Sequence, residues 1–198
     1  IDGHNIFEIK LSNGSRVIVL PTDFKNDEIV FNCYAKGGQS VARDDSYIAS
    51  LFTPYYLGNS GIGKFSSTDL TKMLSGKNVE LSPWFNEYKQ GMNGKSDKKS
   101  LETLMQMIHL YFTEFRTDTA AYDSFIQSMK VSLENAERFP SQAFRDTINS
   151  VMAKGHFRAQ PITAERLSEI SLEKIREFYN SLFSEADDFT FFFTGSID

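Results

Sequence analysis

Phe189-Thr190-Phe191-Phe192-Phe193-Thr194 is the stretch on which the fold turns. It is apolar at both alternating sets of positions, so neither face of this strand suits water, and the centre of a sheet is its expected place. The earlier strands must then lie to either side of it. Phe7 to Leu11 alternates apolar and polar residues, as a half-buried strand does. Ser12-Asn13-Gly14 follows, then Arg16-Val-Ile-Val-Leu20, and Pro21 ends the second run. Asn-Gly between two such runs predicts a hairpin with a type I′ turn, because that turn needs positive φ at both central residues. Glu28 to Ala35 reads as a third strand, with Ile29, Phe31, Cys33 and Ala35 on one face and Val30, Asn32 and Tyr34 on the other. Gly37-Gly38 stops it. Asn78 to Phe85 and Glu87 to Gly94 read as two more strands with a tight turn near Asn86. Pro83 cannot donate to a ladder, so its strand is an edge strand or carries a bulge.

Helices fill the rest. Asp44 or Asp45 can cap one running to about Leu57, interrupted near Pro54. Gly58 to Gly63 is expected as a loop, and Ser67 or Thr68 caps a short helix ending before Gly76. From Ser96 or Asp97 onward, Leu101, Leu104, Met105, Ile108, Phe112 and Phe115 form one core stripe. Thr119 to Arg138 repeats the pattern with Tyr122, Phe125, Ile126, Met129, Leu133 and Ala136, until Pro140 breaks it. Ser141 to Lys154 carries Phe144, Ile148, Val151 and Met152 as its apolar face. Two further helical pieces cover roughly 163–169 and 171–183. Strands early and in the middle, helices later and a strand at the end make an α+β fold: a mostly antiparallel mixed sheet with helices packed on one face. We expect residues 1–198 to be one domain, cut from a longer multidomain chain.

Composition narrows the chemistry. The chain has 26 acidic and 21 basic residues, which argues against a nucleic-acid partner, since phosphate binding needs a basic footprint. A single cysteine, Cys33, excludes an intrachain disulfide and a multi-cysteine zinc site. No run of about 18 apolar residues occurs, so no helical membrane span is expected. His4, His109 and His156 are far apart, and no pair has the i, i+4 spacing of H-E-x-x-H or H-x-x-E-H. His109 borders a core stripe, and His156 follows Gly155 at a helix end. Cys33 lies on the apolar strand face, where a thiol behaves as a small hydrophobe. Asp44-Asp45 reads as a helix start and Asp187-Asp188 as a solvated loop. Trp84, Phe85 and Tyr88 form an aromatic patch, read either as sheet packing or as a surface for a ligand or partner. Residue chemistry alone yields no catalytic residue and no metal site.

Several segments, in order, resemble the insulinase/pitrilysin family of zinc peptidases, the inverzincins. Leu11-Ser-Asn-Gly-Ser-Arg-Val-Ile-Val-Leu-Pro-Thr22 resembles that family's domain-opening hairpin, and Gly37-Gly38-Gln39-Ser40 its next turn. Ser60-Gly-Ile-Gly-Lys-Phe65 with Leu70 to Lys77 is similar to the loop and short helix after the active-site helix. Glu102 to Thr113 resembles the long helix after the middle strands, and Asp187 to Gly195 the closing strand. The resemblance implies a metallohydrolase-like domain of the pitrilysin and mitochondrial processing peptidase type. An active member carries H-x-x-E-H on the helix after the Gly-Gly turn; here that helix reads Tyr47-Ile-Ala-Ser-Leu-Phe-Thr-Pro-Tyr-Tyr56, without His or Glu. The family's third zinc ligand, a Glu on a later helix, has no clear counterpart around Lys130-Val-Ser-Leu133, Glu134 being the nearest acid.

The resemblance is strongest to the third of the family's four domains, which opens the C-terminal half and lacks the motif. It implies a non-catalytic structural domain of a larger zinc metallopeptidase, packed on other domains of the same chain and helping to enclose the chamber that holds peptide substrates. Zinc would sit in the parent's catalytic domain and no cofactor in this fragment. The sheet face would line the chamber, with Trp84, Phe85 and Tyr88 as contacts. The alternative is a stand-alone inactive scaffold or binding subunit partnering an active one. Many family members work in a bacterial periplasm or envelope. A domain that packs on others exposes apolar surface, so the isolated fragment is expected to self-associate.

Overall fold

The computed structural model describes residues 6–197. Six strands, β1 (Phe7–Lys10), β2 (Arg16–Pro21), β3 (Ile29–Lys36), β4 (Val79–Phe85), β5 (Lys89–Ser96) and β6 (Thr190–Gly195), form one sheet in the order β1-β2-β6-β3-β5-β4. Six α-helices accompany it: α1 (Tyr47–Ser60), α2 (Ser67–Met73), α3 (Leu101–Thr113), α4 (Thr119–Ala136), α5 (Pro140–Met152) and α6 (Leu172–Phe183). The sheet is mixed. β6 runs parallel to β2 and antiparallel to β3, and every other pair is antiparallel. The Phe189–Thr194 run thus lies at the centre, as its two apolar faces require, and Pro83 lies on the edge strand β4.

Strand alternation sorts the core. In β3, Ile29, Phe31, Cys33 and Ala35 face the helices and are all but inaccessible. Phe191 and Phe193 of β6 join them, with the Phe193 ring centroid 5.0 Å from that of Phe31. Phe112 of α3 meets Phe189 edge-on at 4.9 Å. From α6, Ile175, Phe178, Tyr179, Leu182 and Phe183 are all buried against this cluster. Burial of several such side chains at about 1.5–3 kcal/mol each is the main force holding helices to sheet.

Four local expectations need correction. The first hairpin does not have a two-residue type I′ turn. Leu11 N–H donates to Ser15 at 2.9 Å across a three-residue loop, in which Gly14 alone takes positive φ. α1 begins after Ser46, whose side chain makes no capping bond, and runs unbroken through Pro54 to Ser60, absorbing Gly58 and Asn59. An interior proline costs about 3 kcal/mol or more, and burial of Ile48, Phe52, Tyr56 and Leu57 on both sides of it outweighs that cost. Met105 of the α3 stripe is exposed. Lastly, Phe144, Ile148, Val151 and Met152 of α5 do not enter the core; all four face solvent. The apolar periodicity of that helix is real, but it points outward.

The buried hydroxyls and thiol set an alkaline limit. Burial pushes the Cys33 thiol from 9.0 up to about 12 and the Tyr111 phenol from 10.0 up to about 12. Burial also raises Tyr179, helped by the Tyr111 charge. In the unfolded chain these groups ionise at their ordinary values, while in the fold they stay protonated. Their contribution to stability is therefore fully present below pH 9.0 and is lost as pH climbs toward about 12, with a slope of about 1.4 kcal/mol per pH unit for each group that has ionised in the unfolded state only. Urea midpoints measured against pH test this. A midpoint that stays flat through the alkaline window would contradict it.

Candidate functional site

Two places are the candidates: the helix that follows the Gly-Gly turn, and the sheet face that no helix covers. The turn is fixed by backbone geometry. Gly38 has φ 60°, and a Cβ there would lie 2.2 Å from the Asn86 carbonyl oxygen, so only glycine lets the turn press on the β4–β5 hairpin. The buried Gln90 side chain accepts the Gly38 N–H at 2.7 Å. Arg158 ties the start of α1 from the far side. It bonds the Ala42 carbonyl at 2.9 Å and the Asp44 carboxylate at 2.7 Å, and its guanidinium lies over the Tyr47 ring.

Along α1 the inward positions are spent on packing. Ala49, Ser50 and Thr53 are fully buried. Ser50 Oγ donates to the Tyr47 carbonyl and Thr53 Oγ1 to the Ala49 carbonyl, so both hydroxyls are satisfied within the helix. Tyr56 Oη donates to the Arg116 carbonyl and accepts the Asp118 N–H, both at 2.9 Å, linking α1 to the start of α4. Asp118 caps α4. The Ala121 N–H first, and then Arg116, hold its carboxyl below the usual range. Glu134 lies on the exposed side of α4, 4.0 Å from Lys130. Among the described residues no cluster of three His, Cys, Asp or Glu side chains could hold a metal ion. His4 lies outside the described residues. His109 is exposed on α3. The ring of His156 accepts the Arg158 N–H and so opens a short 3-10 turn (Phe157–Ala159), rather than closing the helix before it. These residues do not fit a zinc centre, which requires three or four converging ligands.

The open face of the sheet is built differently. Trp84, Asn93, Asn32, Tyr34, Phe192 and Ile18 point to it from five adjacent strands. Gly91 on β5 makes the floor possible. A Cβ there would come within 2.7 Å of the Trp84 ring and 2.0 Å of the Cys33 carbonyl oxygen, so its absence lets the indole lie across the strand. The Trp84 indole N–H donates to Asn93 Oδ1 at 3.1 Å, and the Asn32 amide donates to the same oxygen. Tyr34 and Phe192 stack at 5.6 Å with 12° between the ring planes, and Lys89 Nζ sits 5.1 Å from the Tyr34 ring. Cross-strand pairs Arg16–Glu8 and Lys95–Glu80 border the aromatic floor. Side-chain amides and aromatic rings on a flat sheet can hold an extended chain by stacking and hydrogen bonds. Cys33 is no part of this face, because it points the other way into the core.

The three aromatic residues singled out from the sequence separate in space. Trp84 is on the open face. Phe85, one residue on, turns to the helices, with its ring 5.9 Å from Phe178 and 5.6 Å from Phe183. Tyr88 stands exposed at the β4–β5 turn, where its hydroxyl donates to Glu87. Tyr34 and Phe192, which complete the open face, carry a signal of their own: Tyr34 is on the second face of its strand, and Phe192 is the large apolar residue between Thr190 and Thr194 on the second face of β6.

No protein-family model matches the chain. Over 194 residues it is 23% identical to a PQQL-like zinc protease of Arabidopsis thaliana, an alignment covering 98% of this chain and 18% of that protein. The periplasmic protease PqqL from Escherichia coli shares the fold at a TM-score of 0.83 and 17% identity, with 98% of this chain and 21% of that one covered. An inactive domain of peptidase M16 from Pseudomonas fluorescens matches at a TM-score of 0.77 and 12% identity, with 98% and 47% covered. The chain spans about a fifth of the length of the curated relatives it matches.

The opposite placements of Trp84 and Phe85 give a sharp comparison. Phe85→Ala removes a partly buried ring packed on the core and is expected to cost about 2–3 kcal/mol, whereas Trp84→Ala, on the open face, costs less. Denaturant midpoints of the two variants check this, and equal losses would contradict the assignment of faces. Sequence and structure agree: the chain is similar to PqqL-like zinc proteases, and its fold is that of the M16 peptidase domains.

Proposed function

We propose that this chain is a non-catalytic domain of a larger zinc metallopeptidase, and that its open sheet face forms part of the wall around bound peptide. The observation that carries the reading is the interior of α1. Where active members of the insulinase/pitrilysin type carry H-x-x-E-H, this helix packs Ala49, Ser50, Phe52 and Thr53 into the core. Zinc and the general base then come from another domain of the parent chain. Trp84, Tyr34 and Phe192 supply rigid aromatic area, and Asn32 and Asn93 supply amides suited to the backbone of an extended peptide. Tyr88 stands at the rim of the same wall, while Phe85 supports it from behind. Contacts of this kind bind substrate and transition state alike, so they act on KM more than on kcat.

Elemental analysis and peptide digestion test the first part. The isolated chain is expected to hold no stoichiometric zinc and to leave unstructured peptides intact, while the parent holds zinc and loses its cleavage to chelators. Tight one-to-one zinc on the isolated chain, or chelator-sensitive cleavage by it, would sink the proposal. Within the parent, Trp84→Ala is expected to raise KM for peptides several-fold with kcat little changed. An unaltered KM would remove the open face from the wall.

A further inference from the structure

Helix α5 is amphipathic the wrong way round. Its residues nearest the protein body are Gln142, Asp146 and Ser150, all polar and partly buried. Gln142 donates to Asp146 at 2.9 Å, and Ser150 to Gln160 at 3.3 Å. The opposite side carries Phe144, Ile148, Val151 and Met152 at i, i+4, i+7 and i+8, which is one continuous stripe. Their exposures are 67%, 43%, 69% and 79%, and Phe139 at the helix start is 62% exposed. α5 buries no residue at all.

The roll of the helix is held at both ends. Only 137–139 separate it from α4, and Pro140 sits at its first turn. At its other end Lys154 and Gly155 both take positive φ, the Gly155 N–H returns to the Ser150 carbonyl at 2.8 Å, and Arg158 is anchored to Ala42 and Asp44. Turning the stripe inward would break these ties and drive the polar side out. A stripe of large apolar residues held toward water marks a surface that something else covers.

We propose that a second domain of the same polypeptide covers the Phe144–Met152 face of α5. This rests on the reading that the chain is one domain of a larger protein. The choice of occupant rests on chain length. In the Pseudomonas fluorescens inactive-domain structure the shared fold takes up 47% of the chain, leaving about as much polypeptide again beside it. The curated relatives leave four times as much. A tethered domain meets the stripe at high effective concentration, whereas a second copy must be recruited from solution. The matching surface is an apolar groove or helix face about three helical turns long, with polar residues at its margin to meet Arg145 and Asn149.

The test uses the full-length parent with single cysteines at Val151 or Met152, compared with Asn149→Cys on the exposed polar margin of the same helix. Cys33 adds no background while the domain is folded, being inaccessible. Alkylation at Val151→Cys and Met152→Cys is expected to be slower than at Asn149→Cys by about tenfold or more in the parent. In the 198-residue chain alone, diluted until it is monomeric, the rates should approach one another. Equal rates in a parent that still cleaves peptides would overturn this proposal while leaving the preceding one standing. Protection that vanishes on dilution would assign the stripe to a second copy and overturn it as well. A parent without zinc or peptidase activity would sink the preceding proposal alone, since the alkylation ratio reads the contact whether or not the protein turns over.

Discussion

The sheet exists as a single sheet because β6 pairs on both edges. On one side lies the β1–β2 hairpin, on the other β3 with the β4–β5 hairpin, and the two have no strand pairing with each other. Remove β6 and β2 and β3 each present a bare edge of unpaired N–H and C=O groups, which a folded chain does not leave in a dry interior. The same strand supplies Phe191 and Phe193 to the helix side and Phe192 to the open side. Backbone pairing, the aromatic core and the floor of the open face therefore meet in six residues.

Helix α1 illustrates how packing takes over positions that chemistry would otherwise need. In a metal site the inward residues must be charged or ligating, and their neighbours must tolerate water. Here the inward residues are small or apolar, their hydroxyls turn back on the helix, and a proline sits mid-helix without ending it. A buried carboxylate without a cation would be far costlier than Ala49 or Thr53 in the same place. The domain keeps the scaffold around this helix, including the Gly-Gly turn locked by Gln90, and fills the space with core.

Strand positions and faces were legible in the sequence because period-two alternation is local: Ile29, Phe31, Cys33 and Ala35 could be placed together before any coordinates, and so could the central position of the Phe189–Thr194 run. Two things were not. The Trp84-Phe85-Tyr88 cluster looked like one patch, although adjacent strand residues must face opposite ways and a turn residue neither. Helix α5 showed a clear apolar stripe, but periodicity says only that a helix has an apolar side, not which body lies against it. That information is held by whatever packs there, and it is absent from these residues. The open-face pair Tyr34 and Phe192 was readable in principle, from the parity of each position; what the sequence could not show is that the two strands are neighbours.

The position of β6 in the chain has a consequence for synthesis. Ser15 near the start of β2 donates a hydrogen bond to the Ala186 carbonyl, 171 residues away. A ribosome delivering this polypeptide releases β1, β2, β3 and most of the helices long before the strand that joins them emerges. Until then the nascent domain holds two sheet fragments with an unfilled slot between them, lined by Phe31 and the apolar side of β2. Contacts so distant in sequence form slowly, and exposed strand edges invite foreign pairing. Chaperone protection of the nascent chain should thus matter most in the interval just before residue 195 clears the exit tunnel.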